Sequence, residues 1–76
     1  MTQEESVLYR LDIRRVLEII EGQQLKRWWV AEFAGVHKTT LRRWLSGRIS
    51  RLKFGNVARL AAVLSTRPEV IAVPVG

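Results

Sequence analysis

The stretch that decides the fold runs from Arg27 to Ser46 and reads RWWVAEFAGVHKTTLRRWLS. A small residue, Ala31, stands where two short helices would approach each other closely, and Gly35 follows where a tight turn requires a positive φ. Apolar residues then recur at the spacing that packs a second helix against the first: Val36, Leu41 and Trp44. Together these positions predict two short helices joined by a tight turn, a helix-turn-helix, over residues 27–46.

Apolar periodicity on both sides of this stretch predicts two further helices. Helix 1 is expected at about residues 7–21, with either Ser6 or Asp12 as its N-cap and Gly22 as its stop. Helix 4 is expected at about residues 54–64. The residues expected to be buried on these two helices are Ile13, Val16, Leu17 and Ile20 on the first and Val57, Leu60, Ala61 and Leu64 on the second.

The helix-turn-helix divides into helix 2, about residues 26–34, and helix 3, about residues 38–46. Helix 2 offers Val30, Ala31 and either Phe33 or Ala34 for burial. Gly47 fits the left-handed position beyond the end of helix 3, and a basic loop, residues 48–53, leads to helix 4.

The tail, residues 66–76, carries two different signals. Thr66-Arg-Pro-Glu69 has the spacing of a capping box with Pro in the first turn, which favours a short helix, whereas the β-branched run Val70–Val73 favours a strand. We expect one helical turn followed by an extended end. The chain is thus predicted to be a single all-α domain, residues 1–76, a compact bundle of four to five short helices with disordered residues 1–5.

The charge of the chain is concentrated in its middle. The net charge is +6, and between Lys26 and Arg59 there are nine Lys and Arg residues against one acid, Glu32. The remaining residues hold four basic and six acidic side chains. A positive excess confined to one motif indicates a face that meets a polyanion.

The helix-turn-helix resembles that of the Cro/cI-type (XRE-like) family of DNA-binding proteins, which includes phage repressors. The resemblance covers about residues 16–73 and rests on Val30-Ala31, Gly35-Val36 and the Leu60-Ala61-x-x-Leu64 pattern. It implies a bundle of four or five helices that binds operator DNA as a dimer. His37 departs from the family, which usually has Ser or Thr at this place, and Arg51-Leu-Lys53 stands where the family often has Pro.

The resemblance implies that helix 3, residues 38–46, is a recognition helix lying in the DNA major groove. Its polar face carries Lys38 at the helix N-terminus, where positive charge is locally unfavourable, and charge placed against a local rule is typical of a functional surface. Lys and Arg side chains hydrogen-bond guanine, and Thr can meet a thymine methyl group. The expected base-contacting residues are His37, Lys38, Thr39, Arg42 and Arg43.

Phosphate contacts are expected on both sides of the recognition helix, where they would fix the register of the protein on DNA. The expected residues are Arg27, Thr40, Arg48, Arg51 and Lys53. The function expected from the resemblance is sequence-specific regulation of transcription, as a repressor or a Cro-like protein. The expected partners are double-stranded DNA and a second copy of the chain, with the apolar tail Val70–Val75 as the candidate dimer element.

Other classes of protein fit the residues less well. One His, no Cys and no clustered carboxylates leave no triad, metal site or cofactor site to assemble, so we expect no enzyme, no cofactor and no small-molecule substrate. Apolar runs far shorter than the roughly 20 residues of a membrane helix predict no membrane partner, and the acidic start, residues 1–5, does not resemble a signal peptide. We expect a cytoplasmic protein, associated with the nucleoid when bound to DNA.

Two alternatives for the function stay open. The stretch Leu41–Ile49 is also similar to the MerR/excisionase type of DNA-binding protein, although a β-wing would follow Ile49 there and a helical pattern follows here. The fold could also serve as a protein-interaction module that has lost DNA binding and meets an acidic partner. The pair Trp28-Trp29 fits packing against helix 1 or a second protomer better than base stacking, because adjacent helical positions point about 100° apart.

Overall fold

The computed structural model describes residues 7–75, and over these residues the chain forms five helices and three short strands. The helices are α1 (Ile13–Gly22), α2 (Arg27–Ala34), α3 (Lys38–Leu45), α4 (Phe54–Val63) and α5 (Pro68–Ile71). The strands are β1 (Leu8–Leu11), β2 (Leu52–Lys53) and β3 (Ala72–Pro74). Residues 1–5, which we expected to be disordered, lie outside the described part of the chain.

The prediction of an all-α fold is wrong, because the three strands form an antiparallel sheet in the order β2-β1-β3. In the central strand β1, Tyr9 stands opposite Leu52 on one side and Pro74 on the other. The sheet therefore joins strands from both ends and the middle of the described chain, and the fold is a mixed α and β domain. No helix within residues 7–75 has the length and apolar character needed to cross a membrane.

The predicted start of helix 1 is also wrong, because β1 occupies the residues that precede Asp12. Asp12 is the N-cap of α1, and its side-chain oxygen accepts a hydrogen bond of 3.1 Å from the backbone N–H of Arg15. Its own backbone N–H donates to the carbonyl of Ile71 at 2.7 Å. Asp12 therefore both caps α1 and links the end of β1 to the last residue of α5.

Four helices end in the same backbone turn, in which one residue has a positive φ and the next N–H reaches back to the last helical turn. The residues with positive φ are Gln24 (56°), Gly35 (74°), Gly47 (83°) and Ser65 (58°). The closing bonds are all 3.0 Å long and run from Leu25 to Ile20, Val36 to Ala31, Arg48 to Arg43 and Thr66 to Ala61. The turns predicted at Gly35 and Gly47 are confirmed, whereas Gly22, predicted as the stop, is the last residue of α1 and the positive φ falls at Gln24 instead.

The buried core draws on every helix and strand, with α4 at its centre. The stripe predicted on helix 4 is confirmed, since all four of its residues are buried, and Trp44 is buried as expected. On α1, Val16 and Ile20 are buried, while Ile13 and Leu17 are half-buried against the core. On α2 the position offered to Phe33 or Ala34 is taken by Ala34, and Phe33 is exposed.

The tail follows the predicted order, with one helical turn, α5, and then the extended strand β3. Pro68 occupies the first turn as expected, because its missing N–H has no helical partner there. The predicted capping box is wrong: the N-cap is Arg67 rather than Thr66, and no side chain caps the helix. Pairing of β3 with β1 explains why the β-branched run leaves the helix at Ala72.

Candidate nucleic-acid interface

α3 separates the core from a basic surface. Its inner face carries three buried residues, Leu41, Trp44 and Leu45. On the outer face Lys38, Arg42 and Arg43 are exposed, and Thr39 and Thr40 are half-buried. The amphipathic spacing of eight residues is therefore sufficient to present three cations on the side away from the core.

His37 is the N-cap of α3. Its extended backbone (φ −68°, ψ 146°) precedes the first helical turn, and its Nδ1 atom accepts a hydrogen bond of 3.2 Å from the backbone N–H of Thr39. A ring nitrogen that accepts carries no proton, so in this geometry the proton of the neutral imidazole is on Nε2. The residue that departs from the Ser or Thr of the resembled family does the same capping work with a different acceptor.

A first groove, the α2–α3 groove, lies between the start of α2 and the outer face of α3. Its volume is about 280 Å³, and its lining residues are Arg27, Trp28, Lys38, Thr39, Leu41 and Arg42. Three of these side chains are cationic and none is acidic. The turn at Gly35 brings the two helices into contact and so places Arg27 beside the start of α3.

A second groove, the α3 C-terminal groove, continues along the same helix. Its volume is about 370 Å³, and it is lined by Thr39, Arg42, Arg43, Ser46 and Arg48. Thr39 and Arg42 line both grooves, so the two adjoin on one face of the protein. The left-handed turn at Gly47 holds Arg48 at the end of α3, where its N–H donates to the carbonyl of Arg43.

The start of α2 adds a partial positive charge to the α2–α3 groove. Its N-cap, Lys26, makes no side-chain hydrogen bond to the first turn, and no acidic residue lies in that turn. The free N–H groups at a helix N-terminus favour an anion beside them. An uncapped helix start next to Arg27 and Lys38 therefore favours an anionic ligand at this position.

Six of the ten predicted contact residues line these two grooves, and four do not. His37 caps α3, Thr40 is half-buried outside both grooves, and Arg51 is exposed ahead of β2. Lys53 is not in a loop as predicted: it is the second residue of β2, opposite Leu8 of β1. The basic loop is therefore shorter than residues 48–53, because pairing with β1 begins at Leu52.

Trp28 is a residue of the α2–α3 groove that the sequence did not assign to the interface. Its side chain is 60% exposed, whereas Trp29 is half-buried and packs against Phe33 in a tilted arrangement, with ring centroids 4.6 Å apart. The two tryptophans share a shallow depression at the start of α2, but only Trp28 also lines the α2–α3 groove. Their 100° separation was the available signal, but it does not say which of the two turns outward.

The cations of the two grooves have no acidic partner among the described residues. The ion pairs found in residues 7–75 join Arg15 to Glu18 and Arg67 to Glu69, each at 3.9 Å, on α1 and α5. Within the same residues no three His, Asp or Glu side chains are grouped so as to hold a metal ion.

Comparison with known protein families, with curated proteins and with solved structures finds no match for this chain. The likeness to Cro/cI-type proteins consequently rests on the residues of the helix-turn-helix and of α4 quoted above.

Proposed function

We propose that the protein is a sequence-specific DNA-binding regulator of transcription, of the repressor or Cro-like type, which reads double-stranded DNA with α3. The observation that carries this proposal is the pair of adjoining grooves on one face, lined by five cations and no acid. An α-helix with its polar face outward fits the width of the DNA major groove. DNA is a polyanion, and its closely spaced phosphates are complementary to a face that carries several cations.

The lining of the two grooves suggests that different residues contact the bases and the phosphates of DNA. Arg42 and Arg43 stand on the outer face of α3, where they can reach guanine edges, and Thr39 lies between the grooves near the helix start. Arg27 and the uncapped start of α2 form the wall of the α2–α3 groove and suit a phosphate. Base contacts would give specificity, and the phosphate contacts would fix the register.

A salt series tests whether the partner is DNA. Binding to a duplex should weaken steeply with salt, with a slope of log K against log salt of about −0.9 for each phosphate neutralised. Arg27→Ala should flatten that slope by about one contact. Arg14→Ala is the matched control, because Arg14 is an exposed arginine on α1 that lines neither groove.

A protein-interaction module is the second candidate function, and one observation favours it. Trp29 and Phe33 of α2 and Val63 of α4 line a largely apolar depression outside both basic grooves, with Arg59 and Ser65 also in its lining. An exposed aromatic cluster of this kind often marks a protein contact. A chain that binds duplex only weakly, with no change of affinity between salt concentrations, would support this candidate against the first.

A homodimer is part of the proposal, and the backbone of β3 limits how it can form. Arg10 pairs with Val73, so the N–H and C=O groups of Val73 point towards β1. The outward groups are those of Ala72, whose N–H already bonds to the carbonyl of Pro68, and of Pro74, which has no N–H. The free edge of β3 therefore offers acceptors without donors, and two such edges cannot form a hydrogen-bonded ladder.

Contact through side chains is the remaining route for the predicted dimer element, Val70–Val75. Val73 is 47% exposed on the outer face of the sheet. Sedimentation equilibrium should show that Val73→Lys weakens self-association, while Phe33→Lys, on the aromatic surface, leaves it unchanged. The reverse result would move the dimer contact from the sheet to α2.

A further inference from the structure

Trp28 is the largest exposed side chain at the proposed interface, and the core does not need it. The buried positions of α2 are Val30, Ala31 and Ala34, and Trp29 supplies the aromatic packing beside them. Trp28 instead leaves 60% of its surface to solvent. The exposed indole can therefore contact a partner without disturbing the core, and its amphipathic ring suits a contact of this kind.

The residues that line the α2–α3 groove indicate the chemical class of the partner. Arg27, Lys38 and Arg42 line it together with the hydroxyl of Thr39, and no acidic side chain is present to neutralise them. Such a groove is complementary to a phosphate group. The wall formed by Trp28 is apolar, so it matches a ligand that carries an uncharged carbon surface next to its phosphate.

We infer that the α2–α3 groove holds one nucleotide unit of the DNA backbone, with the cations on its phosphate and the indole of Trp28 against its deoxyribose. The inference rests on the proposed function and adds a non-ionic contact to it. Deoxyribose presents a C–H surface that an aromatic face can cover, and this contact does not depend on the base. Trp28 would therefore strengthen binding to every DNA sequence alike.

A non-ionic contact leaves a signature that a cation cannot give. A variant that lacks a cation releases fewer counterions from DNA when it binds, so its affinity depends less on salt. A variant that lacks an aromatic ring binds more weakly, but the slope of log K against log salt stays unchanged. Trp28→Ala should weaken duplex binding about five- to tenfold at every salt concentration, as expected for one aromatic contact. Arg27→Ala, by contrast, should reduce the slope by about 0.9.

Phe33→Ala is the matched control, because Phe33 is an aromatic on the same helix with 62% exposure but lies outside the groove. It should bind within about twofold of the parent chain, a change that corresponds to less than one favourable contact. Trp28→Ala with the parent affinity at all salt concentrations would overturn the inference while leaving the proposed function standing. A parent chain whose duplex binding shows no salt dependence would remove the proposed function, and the inference with it.

Fluorescence gives a second readout that does not depend on affinity. Trp44 is buried and Trp29 is half-buried, so acrylamide reaches mainly Trp28 in the free protein. Saturating duplex should protect the parent chain and Trp29→Phe from acrylamide quenching, and this protection should vanish in Trp28→Phe. Protection of equal size in Trp28→Phe would place the indole outside the contact and overturn the inference.

Discussion

The backbone N–H of Thr39 donates a hydrogen bond of 3.2 Å to Nδ1 of His37, so a histidine caps the helix that carries the basic face. The cap satisfies one of the free N–H groups at the start of α3. It also fixes the direction in which Lys38 and Thr39 leave the turn. The His37 side chain therefore contributes both to the stability of α3 and to the geometry of the proposed interface.

Replacing His37 by Ala removes this cap. The free energy of unfolding should fall by about 0.5–2 kcal/mol, the usual effect of deleting an N-cap acceptor. His37→Asn should keep most of the stability, because its side-chain oxygen can accept the same bond. Urea unfolding followed by circular dichroism measures both, and equal stability of the Ala variant and the parent would show that the cap contributes nothing.

His37→Asp separates the cap from the interface. The carboxylate can cap α3 and also interacts favourably with the partial positive charge at the helix start, so the variant should be at least as stable as His37→Asn. Its negative charge would stand beside the phosphates of bound DNA and should weaken binding. Duplex titration of the Asp and Asn variants at one salt concentration tests this, and equal affinities would place His37 away from the DNA.

The positive φ values at the helix ends predict opposite effects for two substitutions. Gly35→Ala should cost about 1–2 kcal/mol, because a side chain disfavours this conformation although the space beside Gly35 is open. Ser65→Gly should leave the stability unchanged or raise it by up to about 1 kcal/mol, since it relieves the same strain at a cost in chain entropy. Thermal and urea unfolding would contradict this account if Ser65→Gly were the more damaging of the two.

The central strand of the sheet should be sensitive to loss of a backbone donor. The register pairs Arg10 with Val73, so Arg10→Pro removes an N–H from the ladder and should cost more than about 1 kcal/mol. Arg10→Ala is the control, because the Arg10 side chain is exposed and the backbone donor is kept. Hydrogen exchange of the Arg10 amide in the parent chain checks the same point, and rapid exchange would contradict the strand.

Two arginines should affect DNA binding in different ways. Arg43→Ala should cost about 1–3 kcal/mol on the preferred site and relax the preference at one base pair, because Arg43 stands on the outer face of α3. Arg51→Ala should weaken all sequences alike, as expected for a phosphate contact. Titration against matched duplexes that differ at single base pairs separates the two, and an unchanged preference in Arg43→Ala would contradict its role as a base contact.

Local patterns were sufficient for α2, α3 and α4, although not for the start of α1 or the N-cap of α5. The buried stripe of α4, the core residues of α3 and the left-handed turns at Gly35 and Gly47 follow from spacing and from the conformational freedom of glycine. The extended end of the tail was visible in its β-branched run. These features depend on residues that are close in the sequence.

The sheet could not be predicted in the same way. β1 has four residues, and its partners begin at Leu52 and Ala72, so the pairing depends on contacts between distant parts of the chain. The left-handed turns at Gln24 and Ser65 could not be predicted either, because Gln and Ser rarely adopt a positive φ and so do not indicate that conformation. At the interface, periodicity identified the cations of α3 but did not say that Trp28, rather than Trp29, lies in the groove.

Selection of bound sequences from a pool of random duplex DNA tests the central claim most directly. If the chain is a dimeric, sequence-specific regulator, the selected pool should share a palindromic site with half-sites separated by about one helical turn, roughly 34 Å. The same selection with Arg43→Ala should lose the preference at one position of each half-site. A pool that stays random after repeated rounds, under salt conditions where the parent chain binds DNA, would contradict sequence-specific recognition by α3.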